Sequence, residues 1–355
     1  MTLNSEEKID LLSLYPEEIG ALMSELGEPK YRAKQIFSWL HRGKKISEMT
    51  DIPKSLREKL GEICVDKLPK VETKLVSKLD GTVKYLWRLY DGNFVESVFM
   101  RYKHGNTVCI SSQVGCRMGC AFCASTIGGK VRDLAASEMI GQIIATGLDL
   151  CETVSGVVMM GIGEPLDNYD NSLRFLRLVN LPDGLNIGYR HISLSTCGVV
   201  DKIRELAKEN LPITLSISLH AFDDETRSSL MPINKKWNIH ELLSAAKDYF
   251  EATGRRISFE YTLIQGKNDS PENAAALSNL LNSKLRRDGG MPIHVNLIPV
   301  NPVKEKGFAS SDKGTVDAFA LLLEKNGIRA TVRRRLGSDI NASCGQLRRK
   351  SMENA

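Results

Sequence analysis

The alternation of apolar and polar positions divides this chain into three regions. In residues 5–65, apolar positions recur three and four apart, most regularly at 17–23 and 31–40, which predicts amphipathic helices. Pro29 and Gly43 separate these helices, and Pro53 is placed to open a third. Residues 70–101 are instead β-rich runs separated by Asp-Gly pairs at 80–81 and 91–92, the pattern of a hairpin or meander.

From about residue 106, strand-like and helix-like patterns alternate. Apolar, β-branched runs at 107–111, 156–160, 191–195, 213–218, 257–263 and 294–298 predict strands, and 136–146, 171–178, 202–208, 239–253 and 272–283 predict helices. Six β-then-α units indicate an α/β fold in which a parallel sheet carries helices on its outside. Periodicity does not decide whether that sheet closes into a full barrel, but in either case ligands should gather at the carboxyl ends of the strands.

Size and composition are those of a globular protein. The 355 residues, 42% hydrophobic and 26% charged, suffice for one large α/β domain and a smaller one. No apolar run is long enough to span a membrane. The first residues are acidic before they are apolar and lack the basic start of a secretory signal, so we expect a cytoplasmic protein. In that compartment the eight cysteines should stay reduced, for metal or catalytic use.

Positive charge is concentrated near the carboxyl terminus. The formal net charge of +5 is compatible with a nucleic-acid partner but does not identify one. Two basic clusters lie on either side of Asp339 and Cys344; they are Arg333, Arg334, Arg335 and Arg348, Arg349, Lys350. Such runs are commonly solvated tails. Here their position around a cysteine favours a functional interpretation.

The most specific chemical signal is a cysteine triad after the first predicted strand. Cys116, Cys120 and Cys123 are written C-R-M-G-C-A-F-C, with three and then two residues between the thiols. Three thiolates can hold an iron–sulfur cluster and leave one iron open for chemistry, whereas electron carriers usually have four. The alternatives are buried structural cysteines or half a zinc site, but zinc prefers four ligands in two close pairs.

Polar residues also follow the later strands. The second strand ends in M-G-I-G-E-P, where Gly163 lets the backbone approach a ligand and Glu164 can accept from an ammonium group. Ser195, the run Ser218, Leu219 and His220, and Asn301 end later strands in the same way. Each has an alternative interpretation as a strand-capping residue.

At this point the chain resembles the radical S-adenosylmethionine (SAM) superfamily, whose signature is a CxxxCxxC loop after the first strand. The resemblance implies a partial (β/α)6 barrel, one [4Fe–4S] cluster on Cys116, Cys120 and Cys123, and SAM on its open iron. The G-E-P element and the later strand ends would then bind SAM. Electron transfer would cleave SAM to methionine and a 5′-deoxyadenosyl radical.

The carboxyl-terminal motif narrows the resemblance. G-S-D-I-N-A-S-C-G-Q-L at 337–347 is similar to the GxDIxAACGQL motif of the RlmN and Cfr family of RNA methyltransferases, and I-S-S-Q-V-G-C, A-S-T-I-G-G, S-L-H-A and M-P-I-N-K-K match as well. The resemblance implies methylation of adenosine carbon 2 in 23S rRNA, and in tRNA beside the anticodon. Carbon 8 methylation of Cfr type is the alternative, which Pro165 disfavours because Cfr proteins generally carry alanine there.

The resemblance also implies roles for three further residues. Cys344 would take a methyl group from one SAM, lose a hydrogen atom to the radical made from a second, and form an RNA–protein adduct. Cys109 would resolve that adduct through a transient disulfide with Cys344, and Glu96 would accept the ring proton. Without the resemblance, Cys109 is simply a small buried hydrophobe and Glu96 the polar face of an edge strand. The remaining cysteines, Cys64, Cys151 and Cys197, are interpreted as packing residues.

The expected partners are 23S rRNA, tRNA and a flavodoxin- or ferredoxin-type electron donor, with no membrane and a monomeric state. The predicted domains are an RNA-docking helical part at 1–68, a meander at 69–104, the radical SAM core at 105–335 and a catalytic-cysteine tail at 336–355. A redox-sensing RNA-binding protein with a structural cluster and a radical SAM enzyme acting on a small molecule remain as other classes of function.

Overall fold

Three short helices form the amino-terminal region of the computed structural model, which describes residues 8–286, 290–301, 307–340 and 347–348. They are α1 (Pro16–Glu25), α2 (Arg32–His41) and α3 (Lys54–Ile63). The apolar stripes of α1 and α2 pack together, and Ile19, Ile36 and Leu56 of the three helices are fully buried. The predicted amino-terminal helices are thus present, the third beginning directly after Pro53.

The strands of the described chain form one large sheet and one small hairpin. In chain order they are β1 (Lys70–Val76), β2 (Val83–Arg88), β3 (Phe94–Tyr102), β4 (Gly105–Cys109), β5 (Gln113–Gly115), β6 (Lys130–Asp133), β7 (Gly156–Met159), β8 (Ile192–Thr196), β9 (Thr214–Ser218), β10 (Ile257–Leu263), β11 (Ile293–Pro299) and β12 (Arg329–Val332). The large sheet has the order β1-β2-β3-β4-β7-β8-β9-β10-β11-β12, and β5 pairs with β6.

The six predicted parallel strands are confirmed as β4 and β7 to β11, and the predicted meander is the antiparallel run β1-β2-β3. The meander joins the same sheet, because β3 pairs antiparallel with β4. A seventh parallel strand, β12, pairs with β11 and was not predicted. Only one of its four residues is buried, so it carries no apolar pattern. Because β1 and β12 end the strand order, the sheet of the described chain is open, a partial barrel.

Helices cover the outside of the parallel strands. They are α4 (Ala136–Leu150), α5 (Tyr169–Asn180), α6 (Val200–Lys208), α7 (Asp224–Leu230), α8 (Ile239–Thr253), α9 (Pro271–Leu285) and α10 (Lys313–Lys325). None of the helices in these ranges combines the length and the apolarity that a membrane crossing requires.

The parallel strands alternate apolar and polar residues although both of their faces are largely buried. On β10, Phe259 and Tyr261 pack into the core toward the helices, whereas Ser258, Glu260 and Thr262 take the alternate positions, on the inner face of the barrel. The inner face is therefore polar. Asn296 on β11 donates to the Glu260 carboxylate at 2.7 Å, and Ser258 donates to it at 3.1 Å.

Candidate active site

The cysteine loop begins at Gly115, the last residue of β5. Gly115 has φ +78°, and a Cβ there would lie 1.9 Å from the carbonyl oxygen of Gly129. The same carbonyl accepts a hydrogen bond from the Cys116 backbone N–H at 3.1 Å. Farther along, the Ala121 N–H donates to the Leu230 carbonyl at the end of α7 at 2.8 Å. The loop is therefore held from two sides by backbone contacts.

The three thiols of the triad line one cavity of about 220 Å³. Burial raises the pKa of Cys116 to about 12, and it raises the pKa of Cys120 as well, each with a contribution from the neighbouring thiols. Without a bound cation, Cys116 and Cys120 therefore keep their protons near neutral pH. A bound metal centre would displace these protons.

Within the described ranges, no three His, Cys, Asp or Glu side chains are grouped closely enough to hold a single metal ion. A closed one-ion zinc site is thus absent from that part of the chain. Three thiol donors grouped on one buried loop fit an iron–sulfur cluster, whose iron atoms are held by separate thiolates.

The cavity lies at the carboxyl edge of the parallel sheet. Its walls include eight of the predicted site residues: Cys116, Cys120, Cys123, Gly163, Glu164, Ser195, Ser218 and His220. Five of these eight come from the ends of β7, β8 and β9, because parallel strands bring their carboxyl ends to one edge. The structure thus brings the cysteine loop and the three strand ends together.

The Glu164 carboxylate connects the loop after β7 with the loop after β8 by hydrogen bonds. Its carboxylate is fully buried and accepts the backbone N–H of Leu166 at 3.0 Å and that of Cys197 at 2.7 Å. Burial raises its pKa in spite of these two hydrogen bonds. A Cβ at Gly163, which has φ +109°, would lie 2.7 Å from the backbone nitrogen of Gln113, so only glycine fits beside β5. The G-E-P loop is therefore fixed in place, and Glu164 retains acceptor capacity toward the cavity.

His220 is held as a neutral imidazole. Its Nδ1 accepts the Thr262 N–H at 2.9 Å, which leaves the proton on Nε2, and burial lowers its pKa to about 3. The backbone has φ +56°, a strained value for a non-glycine residue. Asn268 supports this turn by donating to the carbonyl of His220 at 2.9 Å and to that of Thr262 at 2.8 Å. His220 can therefore donate a hydrogen bond but cannot act as a base near neutral pH.

Two predicted site residues lie off the cavity. Leu219 is fully buried and is absent from the cavity wall; its backbone N–H donates to the Glu260 carbonyl at 3.0 Å. Asn301, two residues beyond β11, is half-buried and is also absent from the wall. The side chains that do come from β10 and β11 are Glu260, Thr262 and Ile298, which the sequence pattern did not single out.

Arg227 on α7 is a fully buried cation beside the triad. It donates to the carbonyls of Cys197 at 2.7 Å, Ser218 at 3.2 Å and Leu219 at 3.2 Å. Burial lowers its pKa to about 10, and it interacts electrostatically with Cys120. It ties together the loops after β8 and β9. In the sequence, only its position four residues before the M-P-I-N-K-K motif could have drawn attention to it.

Cys109 and Glu96 stand on neighbouring strands at the inner face of the barrel. Cys109 is buried and packs with Val98, Met100 and Met160. Because Cys109 pairs with Val98, Glu96 lies two residues farther along β3 on the same face, a diagonal separation of about 7–8 Å. Neither residue lines the triad cavity.

Glu96 forms a buried ion pair that sequence reasoning missed. Its Oε2 lies 3.0 Å from Nζ of Lys84 on β2, and each side chain is 1% exposed. Its Oε1 accepts the Arg348 backbone N–H at 2.6 Å. Lys84 lies in the run V-K-Y-L-W, where alternation would place it on the solvent side of a hairpin.

Cys344 lies outside the described residues, but both sides of its segment contact the meander. Before it, Asp339 accepts from the Ser77 hydroxyl at 2.7 Å and from the Lys78 N–H at 2.8 Å. After it comes the contact of Arg348 with Glu96. Of the cysteines expected to pack, Cys64 and Cys197 are buried, and Cys197 also lines the triad cavity. Cys151 is exposed at the end of α4, so the packing interpretation is wrong for it.

Two family models match the chain. Residues 110–277 match the radical SAM superfamily, and residues 9–65 match the ribosomal RNA large subunit methyltransferase N-terminal domain. A probable dual-specificity RNA methyltransferase RlmN of Clostridium botulinum (strain Eklund 17B / Type B) is 53% identical over 96% of both chains. One of Alkaliphilus metalliredigens (strain QYMF) is 51% identical over 98% of this chain and 97% of the relative. A crystal structure of a radical SAM methyltransferase from Sphaerobacter thermophilus is 40% identical, with a TM-score of 0.89, over 95% of this chain and 98% of that one.

Proposed function

Because the chain belongs to the RlmN family of radical SAM RNA methyltransferases, we propose that it methylates carbon 2 of an adenosine in 23S rRNA and of an adenosine beside the tRNA anticodon. The observation that carries the proposal is the placement of the chemistry in one barrel. The cysteine triad lines a cavity at the carboxyl edge, and Cys109 and Glu96 lie together on the inner face of the same sheet.

In this proposal Cys116, Cys120 and Cys123 hold one [4Fe–4S] cluster. SAM binds against Gly163, Glu164, Ser195, Ser218 and His220, the predicted residues that line the cavity, with two SAM molecules used per turnover. When bound, these groups supply the methyl group and the one-electron chemistry that activates it. The neutral His220 donates a hydrogen bond to the ligand, and the buried walls from β7 to β9 exclude water.

The chain's own thiols carry and release the methyl group. The Cys344 thiolate attacks the methyl carbon of SAM, so that a sulfur–carbon bond forms as the sulfonium–carbon bond breaks. Once the carbon is joined to RNA, the Cys109 thiolate attacks the sulfur of Cys344. A disulfide forms, the carbon–sulfur bond breaks, and its electron pair stays on the carbon, which takes up a proton to become the methyl group. A cellular dithiol must then reduce the disulfide.

Glu96 accepts the proton from the ring carbon. Two observations support this role. Glu96 lies on β3, the strand that pairs with the strand of Cys109, and the ammonium group of Lys84 compensates the charge of the Glu96 carboxylate, which water does not reach. A flavodoxin- or ferredoxin-type protein supplies the electron, the helices of residues 1–68 dock RNA, and the enzyme works as a monomer.

The proposal is tested by purifying a Cys109→Ala variant expressed in cells. With no resolving thiol the adduct should persist, and mass spectrometry should find a nucleotide attached to Cys344. Cys151→Ala, which removes an exposed cysteine, is the matched control and should carry no RNA. Wild-type enzyme should yield 2-methyladenosine from both RNAs. If the wild-type enzyme yields only 8-methyladenosine, it is a carbon 8 methyltransferase of Cfr type. If the Cys109→Ala protein carries no RNA, the thiol mechanism is refuted.

A further inference from the structure

A second cavity, of about 440 Å³, lies at the opposite end of the barrel. Its walls include Gly156 and Thr214, the first residues of β7 and β9. The triad cavity contains Ser195 and Ser218, from the carboxyl ends of β8 and β9. Because these strands are parallel, the two cavities are at the two ends of one barrel. We call the second one the amino-end cavity.

The two cavities adjoin inside the barrel. Met160 and Arg333 line both of them. Cys109 packs in one cluster with Met100, Val158 and Met160, and all three of these neighbours line the amino-end cavity. Cys109 therefore packs directly behind residues that line the amino-end cavity, and one of these, Met160, also lines the triad cavity.

The wall of the amino-end cavity carries positive charge and no carboxylate. Arg190 and Arg333 supply this charge, His104 and His191 line the same wall, and none of the lining residues is Asp or Glu. Among the described residues, the guanidinium groups of Arg190 and Arg333 form no direct hydrogen bond or ion pair, although Arg333 interacts electrostatically with the buried Glu260 carboxylate.

Other exposed arginines of this protein do find acidic partners. Arg177 pairs with Glu209, and Arg204 pairs with Asp248 at 3.0 Å. At the amino-end cavity, the exposed Arg190 side chain has no such partner among the described residues. A guanidinium group without an acidic partner is available to bind the oxygens of a phosphate.

Two stacked aromatic rings line the same amino-end cavity. The rings of Tyr102 and His104 are stacked, with centroids 5.3 Å apart and planes 10° from parallel. Tyr102 is 40% exposed, at the end of β3 nearest the cavity mouth. Stacked aromatic faces next to cationic side chains are typical of sites that bind unpaired nucleotides.

We propose that the target adenosine enters the barrel through the amino-end cavity. Arg190, Arg333 and His191 hold its flanking phosphates, and the Tyr102 and His104 rings stack on a base. This inference rests on the proposed function, which requires a base taken out of its helix. It places RNA and SAM at opposite ends of one barrel. A volume of 440 Å³ lies within the range of ligand-sized pockets.

The test measures binding of the anaerobically purified enzyme to a stem-loop RNA with an unpaired adenosine, by fluorescence anisotropy over a range of salt concentrations. Arg190→Ala should weaken binding about tenfold and lower the log–log salt slope by about 0.7–0.9, the loss of one phosphate contact. Tyr102→Ala should also weaken binding about tenfold, whereas Tyr102→Phe keeps the stacking face and should stay near wild type. Arg204→Ala is the matched control, because it removes an exposed arginine already paired with Asp248.

The outcomes separate this inference from the proposed function. Equal affinity and salt slope for Arg190→Ala and Arg204→Ala would overturn the amino-end entrance, as would failure of the wild type to bind the stem-loop. S-methylation of Cys344 in RNA-free protein, measured by peptide mass spectrometry, should be unchanged in Arg190→Ala. If the wild type lacks that methyl group and makes no 2-methyladenosine, the proposed function fails while the binding measurements still decide the entrance.

Discussion

A single methyl group at Gly115 should prevent the cysteine loop from holding its metal centre. Gly115 precedes Cys116 and has φ +78°; Gly128, on the same loop, has φ +85°. Alanine in this left-handed region costs about 1–2 kcal/mol at either position. The two sites differ in their surroundings. A Cβ at Gly128 meets nothing within 4 Å, whereas a Cβ at Gly115 meets the carbonyl oxygen of Gly129 at 1.9 Å.

The extra cost at Gly115 follows from the bond that must break. Because the obstructing atom is backbone, the strands β5 and β6 must separate, and the hydrogen bond from Cys116 N–H to Gly129 is lost. A buried donor left without a partner costs about 1–3 kcal/mol. Since about 1.4 kcal/mol is a factor of ten in an equilibrium, Gly115→Ala should disfavour the closed loop about 5- to 150-fold more than Gly128→Ala does.

The assay is iron and acid-labile sulfide per chain after anaerobic purification and a timed exposure to an iron chelator. We expect Gly128→Ala to keep nearly the wild-type content and Gly115→Ala to lose most of it, with circular dichroism showing both variants folded. Equal iron retention in the two variants would show that the loop tolerates the displacement. The steric reasoning would then be wrong.

Two further predictions concern buried charge. Lys84→Met should reduce the free energy of unfolding by about 3–5 kcal/mol, because it leaves the Glu96 carboxylate buried without its cation. In urea unfolding the Lys84→Met, Glu96→Gln double variant should recover part of this loss, and additive effects would exclude coupling between the pair. His41 is buried, neither of its ring nitrogens has a hydrogen-bond partner in the part of the chain that the structure describes, and burial lowers its pKa to about 4. The unfolded chain therefore binds a proton below about pH 6.5 that the folded chain does not, so stability should fall by up to about 1.4 kcal/mol per pH unit from pH 6.5 toward 4. Melting temperatures from pH 8 to 5 should fall less steeply for His41→Leu, and parallel curves would contradict this assignment.

The order of elements could be predicted from the sequence because it depends on local patterns. Apolar spacing and Asp-Gly turns located α1 to α6, α8, α9, the meander and six parallel strands within a few residues, whereas α7, α10 and the β5–β6 hairpin were not predicted. The short strand β12 was missed, since its exposed residues bear no apolar alternation. The cysteine triad and the G-E-P element were likewise visible, because their chemistry lies in close spacing along the chain.

The side-chain contacts inside the barrel could not be predicted, because they depend on which strands become neighbours. Lys84 and Glu96 are twelve residues apart on two strands, and only the β2–β3 register puts their charges into one buried pair. Arg227 connects two loops only because α7 packs against the chain that follows β8 and the chain that follows β9. Leu219 and Asn301, predicted from strand-end position alone, do not line the cavity, because position along a chain does not fix the direction of a side chain.

The sequence by itself determined that thiols and a glycine-rich acidic loop would meet at one edge of a parallel sheet, because parallel strands align their carboxyl ends. Only the tertiary structure decided what lies at the other end. The cationic, carboxylate-free opening joins His104, Arg190 and Arg333 from three distant parts of the chain. No local sequence pattern predicts this arrangement, because it follows from the places of β3, β4, β8 and β12 in one curved sheet.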